Sequence, residues 1–495
     1  MTGRFWLDAP VRTRHWLIAA SLAVLALQSW HSQGYYEQDE YFQTIEFASY
    51  KLGTTPAADL AWEFPARIRP FLQPAIDLVA MRGLRAAGLS SPGAALFTLR
   101  LLSGLASLLA LLLLWRALAP RLEDDRSRTW LLAALLFTWY VPFIAVRTSS
   151  ESLSGSLLAA ALAAFLLLES RPALAGLVSG ALLGLSFDVR YQIALAAVGF
   201  GAWLLFVRRP GIGAVAVLVF GFALTAGLGL VLDRWGYGQW TFTPWNYLRV
   251  NLLEGKAASM GVEPFWFYPA DLVALQAPLS TVLLVAAAVF CVKAPRHPIT
   301  WITAFFVVGH SLLVHKGSRF LFPMGLVATA IGPLLILDPS IRTGRLAVFL
   351  DRPKVKRLLP VLVGCNLLFL VGLYLVPIRH ELSVQLAARE LTQGGHQILV
   401  IGPDPFADEG VPLTYLRPPG WSPEVMKSWA EVEARVASES RPVWVGSLLG
   451  VWPPDSLRAA RRLEMVAGPV PELVASWLQG PIGRTKMRAL WKIER

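Results

Sequence analysis

The sequence predicts an α-helical polytopic membrane protein, and three observations support this fold class. Only 16% of the 495 residues are charged, whereas an average soluble domain has roughly 25%. Hydrophobic residues make up 55% of the chain and stand in blocks near the length that a helix needs to cross about 30 Å of hydrocarbon. Lysine and arginine concentrate in every second loop between these blocks, as the positive-inside rule expects of a multi-span protein.

The apolar blocks predict about eleven transmembrane helices. The stretch 71–88 is also partly apolar, but it contains Pro74, Asp77, Arg82 and Arg85, and we interpret it as re-entrant or interfacial. The predicted spans are 15–30, 94–115, 129–147, 152–169, 173–188, 191–207, 213–232, 271–292, 299–315, 319–337 and 358–377.

The distribution of basic residues predicts the orientation. Basic loops such as 116–128, 208–209 and 342–357 are expected in the cytoplasm. The long alternate loops 31–93 and 233–270 are aromatic and polar, so they are expected outside, in a periplasm or lumen. The net charge of +12 is spread between apolar blocks and not gathered in one patch, which argues against nucleic-acid binding.

Two domains are predicted. Residues 1–377 form a transmembrane domain with the two long outer loops, and residues 378–495 form a C-terminal domain on the outer side. The tail contains strand-like runs at 398–401 and 443–446 and a helical pattern around 422–438, which indicates a small α/β domain. Cys291 and Cys365 both lie in apolar spans, and we predict neither a disulfide nor a metal site for them.

The first outer loop contains the adjacent carboxylates Asp39 and Glu40. Read as a helix, this segment places Asp39, Gln43, Glu46 and Tyr50 on one polar face, a pattern typical of a helix that lies in the membrane interface. A carboxylate at the membrane surface suits a general base that deprotonates a hydroxyl. The alternative is structural, with Asp39 capping the start of the helix.

The same loop continues through Trp62 and Glu63 to Arg67 and Arg69. Guanidinium groups match phosphate oxygens in a bidentate manner, so two arginines beside aromatic residues suit a phosphate site at headgroup level. The alternative is that they anchor the loop to lipid headgroups.

Further polar groups fall on the predicted outer side. Charges near the hydrocarbon usually line a cavity or a site. For Asp188 and Arg190 the alternative is structural, an ion pair between the two side chains. The second long loop is rich in aromatic residues, which favours either a sugar platform or a simple interface belt. The segments concerned are 147–151, 188–192, 242–268 with Asn246 and Trp266, and 315–320 with His315, Lys316 and Arg319.

Taken in order, these motifs resemble those of the Alg9-like mannosyltransferases, glycosyltransferase family 22, which extend dolichol-linked oligosaccharides and GPI anchors. The likeness covers most of residues 31–323. The matching motifs are Asp39-Glu40-x-Phe42-Gln43-x-x-Glu46, Trp62-Glu63, Arg67-x-Arg69, Thr243-Pro244-x-Asn246-Tyr247, Pro264-Phe265-Trp266-Phe267-Tyr268 and His315-Lys316-x-x-Arg319-Phe320.

The resemblance implies a GT-C fold and an inverting glycosyltransferase that moves a hexose, with mannose preferred, from a polyprenyl-phosphate donor to a glycan or glycolipid hydroxyl. Asp39 is then the expected general base, with Glu40 as the alternative base or acceptor-positioning residue. Donor-phosphate binding is expected from Lys316, Arg319, Arg67 and Arg69. Substrate contacts are expected from His315, Glu46, Trp62, Glu63, Arg190, Asn246 and Trp266.

The resemblance also implies that there is no nucleotide-sugar site, and the chain contains no Asp-x-Asp metal motif that would hold one. We therefore expect no cofactor. Asp39 and Glu40 are the residues that would hold a loosely bound divalent metal. The expected partners are the lipid-linked donor, the acceptor and membrane lipids. The composition, rich in arginine and alanine, suggests a bacterial inner membrane with the site facing the periplasm; in a eukaryote it would face the ER lumen.

Two other functions stay open at this stage. A transporter or flippase of lipid-linked sugars would also need buried charges and a lipid-facing groove, although no inverted repeat appears in the sequence. A non-catalytic member that binds glycolipid is the other alternative, because residues 37–38 and 317–318 depart from the family's usual pattern.

Overall fold

The computed structural model is mainly helical and describes residues 11–32, 34–375, 381–408, 410–437, 439, 441–448, 451–460, 462–468, 472 and 488–494. Residues 376 and 377 of the last predicted span lie outside this set. The first helices are α1 (Val11–His31), α2 (Glu46–Leu52), α3 (Glu63–Ala66), α4 (Leu72–Ala86), α5 (Pro92–Leu118), α6 (Asp125–Phe137), α7 (Val141–Ala145) and α8 (Ser150–Leu167).

The helices continue along the chain in the same way. They are α9 (Pro172–Val189), α10 (Ile193–Trp203), α11 (Ile212–Tyr237), α12 (Thr243–Leu248), α13 (Lys256–Ser259), α14 (Phe267–Gln276), α15 (Leu279–Lys293), α16 (Pro298–Leu312), α17 (Phe322–Ala328), α18 (Ile331–Leu337), α19 (Arg345–Asp351), α20 (Pro353–Leu375), α21 (Glu381–Gln393), α22 (Trp429–Val436) and α23 (Asp455–Ala460). Short π-helical turns cover Tyr41–Ile45, Leu204–Arg208 and Arg249–Leu253, and 3-10 turns cover Ala57–Asp59, Ala119–Arg121 and Ser318–Leu321.

Each predicted span overlaps one or more of these helices. Within the described residues, six helical stretches are long and apolar enough to cross a membrane. They are Pro92–Arg121, Ser150–Leu167, Pro172–Val189, Ile212–Tyr237, Ser318–Leu337 and Pro353–Leu373. Shorter apolar helices cover Ile193–Arg208, Leu279–Lys293 and Pro298–Leu312.

The predicted span 129–147 is not one helix, because the chain breaks between α6 and α7. Pro142 stands in the first turn of α7, where its missing N–H is tolerated but where it cannot continue a helix from the preceding turn. The side chain of Asn366, in α20, hydrogen-bonds to two backbone groups at this break. Its Oδ1 accepts from the N–H of Trp139 at 2.9 Å, and its Nδ2 donates to the carbonyl of Phe137 at 2.7 Å.

The chain divides into two compact units. Unit 1 comprises Met1–Ser29, Glu63–Ile76 and Leu99–Leu375, and unit 2 comprises Trp30–Trp62, Asp77–Thr98 and Val376–Arg495. In unit 1, α9 packs against α11 through glycines on one face of α9. A Cβ on Gly176 would lie 2.6 Å from the carbonyl oxygen of Ala214, and a Cβ on Gly180 would collide with the carbonyl of Leu218. These helices therefore approach as closely as their backbones allow.

Unit 2 contains the predicted small α/β region at the C-terminus. Its strands are β1 (Ile398–Ile401), β2 (Ala407–Asp408), β3 (Val411–Pro412), β4 (Glu424–Met426), β5 (Val443–Leu448), β6 (Arg462–Ala467) and β7 (Arg488–Glu494). The main sheet has the order β4-β1-β5-β7-β6, with β1 parallel to β4 and β5, and β7 antiparallel to β5 and β6. The predicted strands at 398–401 and 443–446 are confirmed, whereas the helix expected around 422–438 begins only at Trp429, after β4.

Candidate active site

The carboxylate pair of the first long loop lies in unit 2, in the first turn of a continuous helical segment. This segment begins at Asp39, passes through the π-helical turn Tyr41–Ile45 and ends with α2, where Gly53 takes a left-handed φ of 81°. Glu40 is buried, and its carboxylate accepts from the backbone N–H of Tyr36 at 2.9 Å. Asp39 is only half-buried, so it is the more accessible carboxylate of the pair.

The expectation of an amphipathic interfacial helix is wrong for the centre of this segment. Residues 40–49 are all buried, polar and apolar positions alike. The predicted polar face is engaged inside the protein, because Glu46 receives hydrogen bonds from other parts of unit 2. The π-helical turn also adds a residue to the local repeat, a feature common at functional sites.

Glu46 has both carboxylate oxygens occupied by hydrogen bonds. The backbone N–H of Tyr415 donates to Oε1 at 2.9 Å, and the hydroxyl of Thr55 donates to Oε2 at 2.7 Å. Burial raises the pKa of Glu46 to about 7, and the nearby charge of Asp59 acts in the same direction, while the two hydrogen bonds oppose the shift. Trp62, the other substrate contact expected in unit 2, is half-buried at the start of the next turn.

In unit 1, the candidate residues Glu63, Arg67, Arg69 and Asn246 lie close together. Arg67 has a left-handed φ of 54°, and its carbonyl accepts from Nδ2 of Asn246 at 3.1 Å. Arg69 lies 3.8 Å from a carboxylate oxygen of Glu63, with its guanidinium 5.6 Å from the ring centroid of Tyr247. A left-handed arginine is uncommon and costs conformational energy, so such a residue is usually held by its surroundings.

A second cluster in unit 1 gathers Arg190 and Arg319 around Glu151. The carboxylate of Glu151 lies 2.9 Å from Nη1 of Arg190 and 3.8 Å from Nε of Arg319. Nη1 of Arg190 also donates to the hydroxyl of Ser150 at 3.0 Å. Both guanidinium groups lie 5.3 Å from the ring centroid of Phe320.

This cluster corrects one alternative from the sequence, because Arg190 pairs with Glu151 and not with Asp188. Glu151 was not among the predicted site residues. Its signal in the sequence was a carboxylate in the first turn of α8, at the end of an apolar span where charges are costly. Within the described residues, Nε of Arg190 is a buried donor with no hydrogen-bond partner.

Lys316 and His315 connect two parts of unit 1 that are distant in sequence. Nζ of Lys316 donates to the carbonyls of Glu263 at 2.8 Å and Leu313 at 2.5 Å. Nδ1 of His315 lies 3.3 Å from the carbonyl oxygen of Gly261. The ammonium group is buried and ties the second long loop to the segment after α16. Trp266, in the same loop, is 67% exposed, which suits a residue available to a lipid or a sugar.

The candidate site offers few ligands for a metal ion. In the part of the chain that the structure describes, no three His, Cys, Asp or Glu side chains gather in a way that would hold one. Asp39 and Glu40 are the residues that the sequence suggests for a metal site, and the backbone N–H of Tyr36 already donates to one carboxylate oxygen of Glu40.

The fold is similar to that of a protein of known structure. ArnT from Cupriavidus metallidurans, in a crystal structure bound to undecaprenyl phosphate, superimposes with a TM-score of 0.53 at 15% sequence identity, and the match covers 98% of both chains. Its apo structure gives a TM-score of 0.51 with 97% coverage of both chains. This likeness confirms the predicted GT-C fold.

Sequence relatives are named mannosyltransferases. The GPI alpha-1,2-mannosyltransferase 3 of Mus musculus is 27% identical over 316 residues, which cover 62% of this chain and 56% of that protein. The Homo sapiens protein of the same name is 25% identical over 318 residues, covering 62% and 55% respectively. The chain thus spans just over half the length of these curated relatives.

The family assignment comes from a match over most of the chain. The profile of the Alg9-like mannosyltransferase family matches residues 16–389, a range that includes the carboxylate pair, the two arginine clusters and the late His-Lys motif. The six long apolar helical stretches among the described residues indicate an integral membrane protein. The chain belongs to the Alg9-like mannosyltransferase family.

Proposed function

We propose that this protein is an inverting glycosyltransferase that transfers mannose from a polyprenyl-phosphate carrier to a hydroxyl of a glycan or glycolipid on the outer face of the membrane. Family membership supports the reaction class. The names of the relatives support mannose as the sugar. The distribution of basic loops supports the outer face, which would be periplasmic in a bacterium.

The observation that best supports this proposal is the hydrogen bonding of the buried Arg190 guanidinium group. Its side chain is 4% exposed, and Glu151 and Ser150 hold its Nη1, while its buried Nε–H has no partner among the described residues. A buried donor without a partner costs about 1–3 kcal/mol. A phosphate oxygen of a lipid-linked donor would satisfy this N–H, and the geometry of a guanidinium suits such an oxygen.

The proposed chemistry is a single displacement. Asp39 removes the proton of the acceptor hydroxyl, whose oxygen forms a bond to the anomeric carbon of the sugar. The bond from that carbon to the phosphate oxygen breaks, and polyprenyl phosphate leaves with the electron pair. One displacement inverts the anomeric configuration, and positive charge that faces the phosphate stabilises its developing negative charge.

The proposed roles of the remaining residues follow from their chemistry. Arg190 and Arg319 bind phosphate oxygens, and Arg67 and Arg69 are further candidates for the same anion. We propose a different role for Lys316, because two of its N–H groups already donate to backbone carbonyls. It supplies positive charge from a fixed position and orders the second long loop, from which Trp266 and Asn246 contact the sugar or the lipid.

The test is transfer of radiolabelled mannose from synthetic polyprenyl-phosphate-mannose by purified protein in nanodiscs, with a glycolipid extract of the source organism as acceptor. Wild-type protein is expected to label the extract. Asp39→Asn is expected to lower the rate by about 100-fold or more, since a general base contributes roughly 10²–10⁴-fold. The matched control is Glu254→Gln, which removes a carboxylate from an exposed ion pair with Arg249 and should leave transfer unchanged.

Two outcomes would contradict the proposal. If Asp39→Asn transfers mannose at the wild-type rate, Asp39 is not the base and Glu40 becomes the next residue to test. If wild-type protein transfers no lipid-linked hexose but moves the labelled lipid between the two leaflets of a vesicle, the protein is a transporter.

A further inference from the structure

One C-terminal segment of unit 2, residues 404–417, is bonded to the first outer loop at several points. We name it the bridging segment; residue 409 within it lies outside the described residues. Its contacts join parts of the chain that are more than 350 positions apart. The hydroxyl of Tyr35 donates to Oδ2 of Asp408 at 2.5 Å, the N–H of Tyr415 donates to Oε1 of Glu46 at 2.9 Å, and the hydroxyl of Thr414 donates to Oδ2 of Asp59 at 2.9 Å.

The bridging segment is held from its other side by α21. Nη1 of Arg389 donates to the consecutive carbonyls of Tyr415, Leu416 and Arg417, at 3.3, 2.9 and 2.8 Å. Nε2 of Gln385 donates to the carbonyl of Pro405 at 2.6 Å. Helix α21 itself packs against β6 and β7 of the main sheet. The sheet, α21 and the bridging segment therefore form one connected support.

Glu46 is the point at which this support reaches the candidate catalytic helix. It lies seven residues after Asp39 in the same continuous helical segment, about 10 Å along the axis. Its carboxylate is bonded to a backbone N–H and to Thr55, whose hydroxyl also lies 2.7 Å from that of Ser49. A buried carboxylate with both oxygens occupied holds the helix in one rotation and one axial position.

We propose that the bridging segment positions the helix that carries Asp39 and Glu40, and that Glu46 is the positioning residue through which it acts. The inference rests on the proposed function, in which Asp39 is the general base. It replaces direct substrate contact as the role of Glu46, and it gives the C-terminal domain a part in the reaction. A base displaced by about 1 Å loses roughly 100-fold in rate, so even a small rotation of this helix matters.

The experiment compares Glu46→Ala, Glu46→Gln and Arg389→Ala with wild type in nanodiscs. Two kinds of measurement are made: the steady-state kinetics of mannosyl transfer, which give kcat and KM, and the amide hydrogen exchange of residues 39–52. Glu46→Ala is expected to lower kcat by about 10- to 100-fold, to leave KM for the donor within about 2-fold and to speed exchange in 39–52. Glu46→Gln should recover most of the rate, because its amide carbonyl still accepts from Tyr415 and its NH₂ group can donate to Thr55.

Arg389→Ala tests the support at a distance, since the hydrogen bonds of Arg389 go to the carbonyls of 415–417. It should reproduce the loss of kcat and the faster exchange. The matched control is Arg435→Ala, which removes half-exposed ion pairs with Glu424 and Glu439 in the same domain and should change neither kcat nor hydrogen exchange. If the alanine variants do not fold, Thr414→Val and Arg389→Lys make the same comparison with a smaller change.

The proposal is overturned if Glu46→Ala and Arg389→Ala keep the wild-type kcat per folded molecule and the wild-type exchange in 39–52. A purely structural role for the C-terminal domain would lower thermal stability and leave both quantities unchanged. Failure of the proposed function is distinguishable from this result. It would appear as no transfer by wild-type protein with any lipid-linked hexose. The hydrogen exchange of residues 39–52 would then be the test of whether the bridging segment positions the helix.

Discussion

Glu151 and Arg190 form an ion pair of 2.9 Å in which the two side chains are 1% and 4% exposed. Taking both charges out of water is costly, so such a pair is weak evidence for stability by itself. A buried pair is nevertheless strongly destabilising to break, because the remaining charge has no compensation. A role of Glu151 and Arg190 in the stability of the fold must therefore be tested separately from a role in the reaction.

The first prediction concerns this ion pair. Glu151→Leu should lower the free energy of unfolding by about 3–5 kcal/mol, since it leaves Arg190 buried without its carboxylate. The double variant Glu151→Leu with Arg190→Leu should recover most of that loss, because an apolar pair often replaces a buried ion pair without penalty. Unfolding in detergent and mannosyl transfer are measured on the same samples. A double variant that is stable but inactive supports a role in donor binding, and one that is stable and active contradicts it.

The second prediction concerns the pH dependence of stability through Glu46. Burial and the charge of Asp59 raise the pKa of Glu46 to about 7, so the folded protein binds this proton more tightly than the unfolded chain. The stability that the protonated carboxyl provides is therefore complete below about pH 4.5 and is lost as pH rises through about 7, by about 3 kcal/mol in all. The thermal midpoint of Glu46→Gln relative to wild type should rise between pH 5 and pH 8. Parallel pH profiles of the two proteins would show that the pKa of Glu46 is not raised.

The third prediction concerns the close approach of α9 and α11. Gly180→Leu should destabilise unit 1 by several kcal/mol, because a side chain there meets the backbone of Leu218 and forces the helices apart. Gly227→Ala, on α11, is the matched control. A Cβ at Gly227 has no neighbouring atom within 4 Å, so this change should be neutral or stabilise the helix by up to about 1 kcal/mol. Equal thermal midpoints for the two variants would contradict the packing.

The fourth prediction concerns Asn366 and the break between α6 and α7. Asn366→Leu should cost about 2 kcal/mol or more, because the N–H of Trp139 and the carbonyl of Phe137 lose their partner away from water. Asn366→Asp should have an intermediate effect, since a carboxyl keeps the acceptor for Trp139 and loses the amide donor. Thermal unfolding of the three proteins in nanodiscs is the measurement. The prediction fails if the leucine variant is as stable as wild type.

Local sequence properties predicted much of the architecture. Span positions follow from the length of apolar blocks, which is a property of neighbouring residues. The strands predicted at 398–401 and 443–446 follow from short runs of β-branched and aromatic residues, and the structure extends the second one to residue 448. The candidate functional residues could also be picked out from the sequence. Placing a charged side chain near the hydrocarbon costs free energy, so charges and adjacent carboxylates next to apolar spans indicate a site.

The partners of these residues could not be predicted in the same way. The sequence offered Asp188, two positions away, as an alternative partner of Arg190, whereas the folded chain supplies Glu151 from another helix. Glu46 was expected on the polar face of an interfacial helix. In the structure its carboxylate instead accepts a hydrogen bond from the backbone N–H of Tyr415, 369 positions away. In both cases the choice depends on which helices and loops the tertiary packing brings within hydrogen-bond distance.

The sequence by itself determined that this chain is a helical membrane protein and which family it resembles, and it predicted which residues are candidates for acid, base or phosphate-binding chemistry. These conclusions depend on composition, spacing and local periodicity. The tertiary structure decided which charges pair with each other, that Asn366 hydrogen-bonds to the backbone between α6 and α7, and that a C-terminal segment hydrogen-bonds to the helical segment that begins at Asp39. Such pairings are set by long-range packing, because a buried polar group must find a partner wherever the fold places one.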